Sequence, residues 1–328
     1  MVTLQLEGRK ILVTGGAGFI GSHLVDRLLK MGNTVIVYDN FDPFYEGKEL
    51  NIVHHKNDPA FKLVNGDILD YDALSSVMQG VEVVFHEAAQ PGVRYSIENP
   101  EKAHQVNATG TFNVLKAAKE RGVKKVVYAS SSSVYGVPER LPLDEDHPTN
   151  PTSPYAVSKL AAEKHCQVFY HVYNLPTASL RYFSVYGPRQ RPDQVTRKFA
   201  TALFEGKPPV IYGDGSQTRD FTFVGDVVEA TILAAEREES AGQVFNIGYG
   251  RQTSINKVFQ LIANLIGKEN ISPIYKPSYA GDFPHTFADV RKAKQVLEYA
   301  PKVDLEEGLN KYIEWHKEQL RTGNIRAM

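Results

Sequence analysis

The β-branched run Lys10 to Thr14 breaks into the glycine-spaced segment GGAGFIGSHL, and no other stretch of the 328-residue chain narrows its fold so far. Gly15, Gly18 and Gly21 recur every third residue, with Phe19 and Ile20 between the last two. In such a loop the first glycine permits a tight turn, and the second lets backbone amides approach a pyrophosphate at a helix N-terminus. The third lets helix and strand pack closely. The motif carries weight only between a strand and a helix. Ile11 to Thr14 reads as the strand, and Ile20, Leu24 and Leu28 mark one apolar face of the helix. The next strand ends at Asp39, 18 residues beyond Gly21, where a carboxylate can accept hydrogen bonds from an adenosine ribose. Asn40, Phe41 and Asp42 follow and Ala17 brings no cation into the loop, so a 2′-phosphate would meet negative charge without a neighbouring Arg or Lys. NAD is therefore expected in preference to NADP, with Asn40 beside Asp39 at its adenosine end.

Short strands alternate with segments of helical period as far as about Ile247: Ile11 to Thr14, Thr34 to Tyr38, Phe61 to Asn65, Val81 to His86, Lys125 to Ala129, Thr177 to Arg181 and Val244 to Ile247. This alternation predicts an α/β fold, a doubly wound (Rossmann), mostly parallel sheet. Leu4 to Val13 reads as the first strand rather than as a leader, and Phe112, Leu115 and Ala118 with Val114 mark a second crossover helix. After about Leu180, Gly187-Pro188, Pro192, Gly206 to Pro209 and Gly213 to Gly215 punctuate the chain before helices return near Ile255 and Leu305. We expect a dinucleotide domain over 1–180, rejoined by about 217–250, and a smaller C-terminal α/β substrate domain from about 181–216 and 251–328. Basic and acidic residues balance, 37 against 38, without a dense basic run, which argues against nucleic acid and anionic membranes as partners. No stretch reaches the roughly 20 apolar residues of a membrane span, and the N-terminus lacks a signal-peptide pattern. The single Cys166 has no disulfide partner in the chain, so a cytoplasmic location is expected. His86, His104 and His165 lack ligand spacing, and no metal is expected.

Tyr155 and Lys159 lie four apart in PYAVSKLAAEK, so on a helix both project from one face. A free phenol ionises near pH 10. Bringing it to neutrality takes roughly 3 pKa units, about 4 kcal/mol, which an ammonium and a nicotinium cation together can supply. The hydroxyl-rich segment SSSSVYG, 130–136, follows another parallel strand at the sheet edge where ligands bind, and its Ser131 could hydrogen-bond a reacting oxygen.

In chain order, the glycine loop, the serine-rich strand end and Tyr-x-x-x-Lys resemble the short-chain dehydrogenase/reductase superfamily, and its extended branch is the better match. The resemblance covers nearly the whole chain and looks most like the nucleotide-sugar 4-epimerases of that branch. It implies that Asp67 and Ile68 in NGDI flank the adenine, that Ala88 and Ala89 in HEAAQ line the cofactor groove, and that Asn107 supports the site. Tyr182 in RYFSVYG would approach the nicotinamide. Ser131, counted back from VYG, takes the place of the catalytic hydroxyl, with Ser132 as a substitute. Arg191 in VYGPRQRPD, with Tyr212, Gln217 and Arg219 in IYGDGSQTRDF, would contact uracil, ribose and diphosphate. Asp282 in AGDFPHTFAD would bind the uridine ribose. A UDP diphosphate suits Arg, whose planar guanidinium pairs bidentately with its oxygens. A homodimer through the helix starting near Asn107 and the helix carrying Tyr155 is also implied.

Two departures from relatives bear on the chemistry. Dehydratases of the branch carry adjacent Asp and Glu where this chain has Ser132 and Ser133, and the decarboxylases carry Glu at the position of Ser133. The resemblance therefore implies NAD-dependent C4 epimerisation of a UDP-sugar through a 4-keto intermediate. Ser184 stands where galactose epimerases have Asn, and QPGVRYSIENP, with Arg94, resembles the UDP-glucuronate 4-epimerases most closely. UDP-glucose and UDP-N-acetylglucosamine stay open as substrates, followed by the decarboxylase and dehydratase reactions.

Overall fold

In the computed structural model, which describes residues 4–278 and 284–324, the seven β-branched runs hydrogen-bond into one parallel sheet. Its strands are β1 (Lys10–Thr14), β2 (Thr34–Asp39), β3 (Phe61–Asn65), β4 (Val83–His86), β5 (Lys125–Ser131), β6 (Thr177–Tyr182) and β7 (Gln243–Ile247). The spatial order is β7-β6-β5-β4-β1-β2-β3. The chain thus winds outward in both directions from β1 and β4, and the crevice beyond their carboxyl ends is where such sheets take ligands.

The main helices are α1 (Phe19–Lys30), α2 (Thr111–Glu120), α3 (Pro154–Tyr173), α4 (Val195–Phe204), α5 (Val224–Glu236), α6 (Ile255–Ile266) and α7 (Leu305–Arg321). Strand alternation sorts them onto two faces. Ile11 and Val13 turn toward Leu24, Leu28, Val227 and Val228 of α1 and α5, whereas Leu12 faces the layer of α2 and α3 with Val114, Leu115, Ala118, Ala162 and Cys166. Phe112, expected on the buried face of α2, is instead 40% exposed. Nor is Leu4 part of the first strand. Gly8 turns the chain at φ +71°, and the Leu4 amide donates to the Glu236 carbonyl at 3.0 Å, so pairing begins at Lys10.

A second apolar cluster joins Phe199 and Leu203 of α4, Val258 and Ile262 of α6, and Leu309 and Tyr312 of α7. Short strand pairs flank it: Ser184–Tyr186 with Phe221–Phe223, Val210–Tyr212 with Ile274–Lys276, and Thr218–Arg219 with Thr253–Ser254. The chain then returns to the first core through Ala288, Val290, Ala293, Leu297 and Tyr299. Among the described residues no helix is long and apolar enough to cross a membrane.

Candidate active site

One cleft along the carboxyl edge of the sheet gathers Gly15, Gly18, Phe19, Ile20, Gly21, Asp39, Asn40, Asp67, Ile68, Ala88, Ala89, Tyr155, Lys159, Tyr182 and Arg191. Its floor is backbone in close approach. A Cβ added at Gly15, which has φ +68°, would lie 2.6 Å from the Ala88 nitrogen, and one added at Gly21 would run into the Gly15 carbonyl. Gly18 caps α1 without a side chain, and the first turn carries no acidic residue, so the positive end of the helix is open to an anion. These features suit a dinucleotide pyrophosphate.

Asp39 is buried and accepts hydrogen bonds from the amides of Ala17 at 3.0 Å and Phe41 at 2.9 Å. Asn40 donates to the Asp67 carboxylate at 2.9 Å, which joins the two loops at this end. The expectation that no cation stands near Asp39 is corrected by the fold. Lys48 lines the cleft, acts electrostatically on Asp39, and donates to the Asp42 carbonyl at 2.6 Å. It lies nine residues downstream on a returning loop, which local sequence could not reveal. Its partial neutralisation by Asp39 and Asp42 leaves the carboxylate in place against a 2′-phosphate.

At the other end, Ser153 caps α3 by accepting from the Ala156 amide at 3.2 Å, and Pro154 opens its first turn. The Tyr155 amide donates to Ser96 Oγ at 3.0 Å, and the Ser131 hydroxyl acts on its phenol. Burial raises the phenol above its ordinary value, while Ser131 and Arg191 pull it down. Lys159 shares the helix face, buried with its Nζ 4.6 Å from the Tyr128 ring centre. Burial pushes its ammonium down to about 8 against the pull of Glu87. Ser131 also accepts from the Ser133 amide at 3.2 Å, capping the short turn Ser132–Tyr135. Ser130 does a different job: it donates to Glu163 Oε2 at 2.8 Å, and Arg181 pairs with that buried carboxylate through Nε at 3.0 Å and Nη2 at 2.6 Å. A π-helical turn, Gln105–Gly110, precedes α2 and presents Asn107. Its amide oxygen accepts from the Gln90 backbone at 2.7 Å, and its nitrogen donates to the Gln90 carbonyl at 3.1 Å and Ser158 Oγ at 3.0 Å. Asn107 thus ties α3 to the cleft wall without lining the cleft.

Of the substrate candidates, Arg191 reaches the cleft, already paired bidentately with Asp193 at 2.9 and 3.0 Å. Arg94 lies 4.8 Å over the Tyr212 ring, and Gln217 donates to the Tyr212 carbonyl at 2.6 Å. Arg219 donates to the Thr218 carbonyl at 2.8 Å, and Ser184 pairs in register with Phe221. Ser132 belongs to the turn that Ser131 caps. Asp282 lies outside the described residues. Two groups escaped the sequence reading. Glu87, inside the motif that supplied Ala88 and Ala89, lines the cleft and accepts from Tyr182 Oη at 2.9 Å. Asp26, His54 and His55 bring ligand atoms within 4.8 Å of one another, a cluster no spacing announced, although the Arg189 guanidinium stands 2.8 Å from the same carboxylate.

The GDP-mannose 4,6 dehydratase family model matches residues 12–312, and the chain belongs to this family of extended short-chain dehydrogenases/reductases. A putative UDP-glucose 4-epimerase of Methanocaldococcus jannaschii is 40% identical over 317 residues, 95% of this chain and 100% of that protein. The crystal structure of UDP-glucuronic acid 4-epimerase from Bacillus cereus, in complex with UDP-glucuronic acid and NAD, is 38% identical with a TM-score of 0.89, covering 94% of this chain and 99% of that one. A UDP-N-acetylglucosamine 4-epimerase from Methanobrevibacter ruminantium is 34% identical with a TM-score of 0.90, covering 96% and 100%.

Proposed function

We propose that this chain is an NAD-dependent UDP-sugar 4-epimerase whose substrate is UDP-glucuronate. The observation that carries the reading is one continuous cleft with a glycine cradle at one end and Tyr155 with Lys159 at the other. NAD, when bound, supplies a reversible hydride acceptor for the sugar C4. Gly15, Gly18 and Gly21 would admit its pyrophosphate, Asp39 its adenosine ribose, and Asp67 and Ile68 would flank the adenine. Burial holds the Tyr155 phenol above its ordinary value, so it becomes a base only when positive charge gathers beside it. Lys159 contributes that charge, Ser131 orients the C4 oxygen, and Tyr155 removes the hydroxyl proton. After the 4-keto sugar turns over, the hydride would return to the opposite face of C4 while Tyr155 gives the proton back to the C4 oxygen.

The substrate assignment is supported by Arg94 and by the hydroxyls at 131–133, which suit a carboxylated sugar. Without a carboxylate at Ser132 or Ser133, elimination or decarboxylation has no dedicated acid or base there. Arg191, Tyr212, Gln217 and Arg219, with Asp282, would hold the UDP. A neutral sugar is the second reading, favoured by the stacking of Arg94 on Tyr212, which gives that guanidinium a partner other than a carboxylate. A homodimer is supported by exposed apolar side chains on the helices that would pair: Phe112 on α2 and Val157, Val168 and Val172 on α3. The buried lone thiol of Cys166 suits a reducing cytoplasm.

Proton NMR of the protein with UDP-glucuronate, UDP-glucose and UDP-N-acetylglucosamine, without added NAD, tests this. The expected product is the C4 epimer of UDP-glucuronate. A UDP-pentose, or turnover of a neutral sugar alone, would overturn the substrate assignment.

A further inference from the structure

Glu87 is a costly residue for its place. It follows β4 directly where the sheet meets the cleft, with Tyr182 of β6, Thr231 of α5 and Lys159 of α3 around it. The Tyr182 hydroxyl donates to Oε1 at 2.9 Å and bonds Thr231 Oγ1 at 2.8 Å. His86, beside it on β4, faces the other layer and bonds Thr14 at 2.7 Å and Thr111 at 2.9 Å. A carboxylate offers about four lone-pair positions, and holding one half-buried at the cleft wall on a single hydrogen bond is unfavourable. Burial pushes Glu87 up to about 7, opposed by the Tyr182 bond and Lys159. The structural task of receiving Tyr182 could be met by an uncharged amide.

The missing term is a cation. Tyr155, Lys159 and Glu87 share one end of the cleft, and hydride chemistry at a sugar held by Tyr155 requires the nicotinamide at that end. Its oxidised ring is positive and its reduced ring neutral. The ring enters beside Lys159, whose own ammonium is already disfavoured by burial. Resting on the cofactor assignment above, we infer that Glu87 is the counter-charge of the oxidised nicotinamide ring and biases the bound cofactor toward NAD over NADH. The bias suits a redox-neutral enzyme, because a 4-keto sugar that escapes leaves the cofactor reduced and the site idle.

The test compares dissociation constants of NAD and NADH for the full chain between pH 5.5 and 7.5, below the pH at which Lys159 loses its proton. NADH is followed by fluorescence and NAD by its displacement. The wild type should gain about tenfold in preference for NAD across this range as Glu87 ionises, because its carboxylate favours the positive ring and its neutral acid does not. Glu87→Gln, which keeps an acceptor for Tyr182, should lose that pH dependence and about tenfold of the preference at pH 7.5, about 30 mV in the two-electron potential of the bound cofactor. A variant with the wild-type ratio at every pH overturns the inference while leaving the cofactor assignment intact. If Glu87→Gln does not fold, the wild-type profile decides alone, since a flat ratio has the same meaning. Binding of neither form by the wild type overturns the cofactor assignment and this inference with it.

Discussion

Tyr155 and Glu87 show how burial sets chemistry one side chain at a time. Tyr155→Phe keeps the ring but removes the proton carrier, so it should retain NAD while turnover falls about 10² to 10⁴-fold, as read from progress curves on the UDP-sugar. Near-normal turnover would remove Tyr155 from its role. Glu87 also makes a stability prediction. Its native value of about 7 lies above the ordinary 4.5, so the folded state holds a proton that the unfolded chain has lost between those limits. Glu87 therefore costs the fold increasingly as pH rises from 4.5 to 7, on the order of 3 kcal/mol in all. Glu87→Gln should melt higher than wild type at pH 8, with the gain shrinking below pH 5 in calorimetric scans. Tyr155 and Lys159 were legible because a four-residue spacing on a helix places two side chains on one face. Glu87 and Lys48 were not, because their partners Tyr182 and Asp39 meet them only through the sheet and a returning loop.

At the scale of elements, α3 is the part that must be placed accurately, since it carries Tyr155, Lys159 and Glu163 on successive turns. Its Ser153 cap should contribute about 1 kcal/mol, so Ser153→Ala should lower the denaturation midpoint by that amount without abolishing folding. The Glu163–Arg181 pair is a larger matter. Glu163→Ala leaves a buried guanidinium uncompensated and releases Ser130, so urea titration should show a loss of about 3–5 kcal/mol. A loss below 1 kcal/mol would mean that the pair does not hold β6 and α3 together. The strands were readable from their Val and Ile runs because a parallel sheet covered on both faces demands them. The π-helical turn at Gln105–Gly110 was not readable. Its signal is the contact of Asn107 with Gln90 and Ser158, which sequence spacing does not encode.

Across the whole molecule, acid stability should follow the buried imidazoles. Burial pushes His23 and His316 down to about 4 and His86 down to about 3. The unfolded chain gains these protons near pH 6.5 while the folded chain resists, so stability should fall as pH drops from 6.5 toward 4. A melting temperature flat over that range would contradict this. The return of Ala288 to Tyr299 into the first core was hidden from sequence because so short a segment carries no period of its own. The central claim concerns the cleft as a unit: one hydride leaves C4 and returns to the same carbon. The direct measurement uses UDP-glucuronate deuterated at C4, incubated with the protein and followed by NMR and mass spectrometry. The expected product is epimerised with deuterium still at C4, and no net NADH forms. Loss of deuterium from C4, or stoichiometric formation of deuterated NADH, would contradict it.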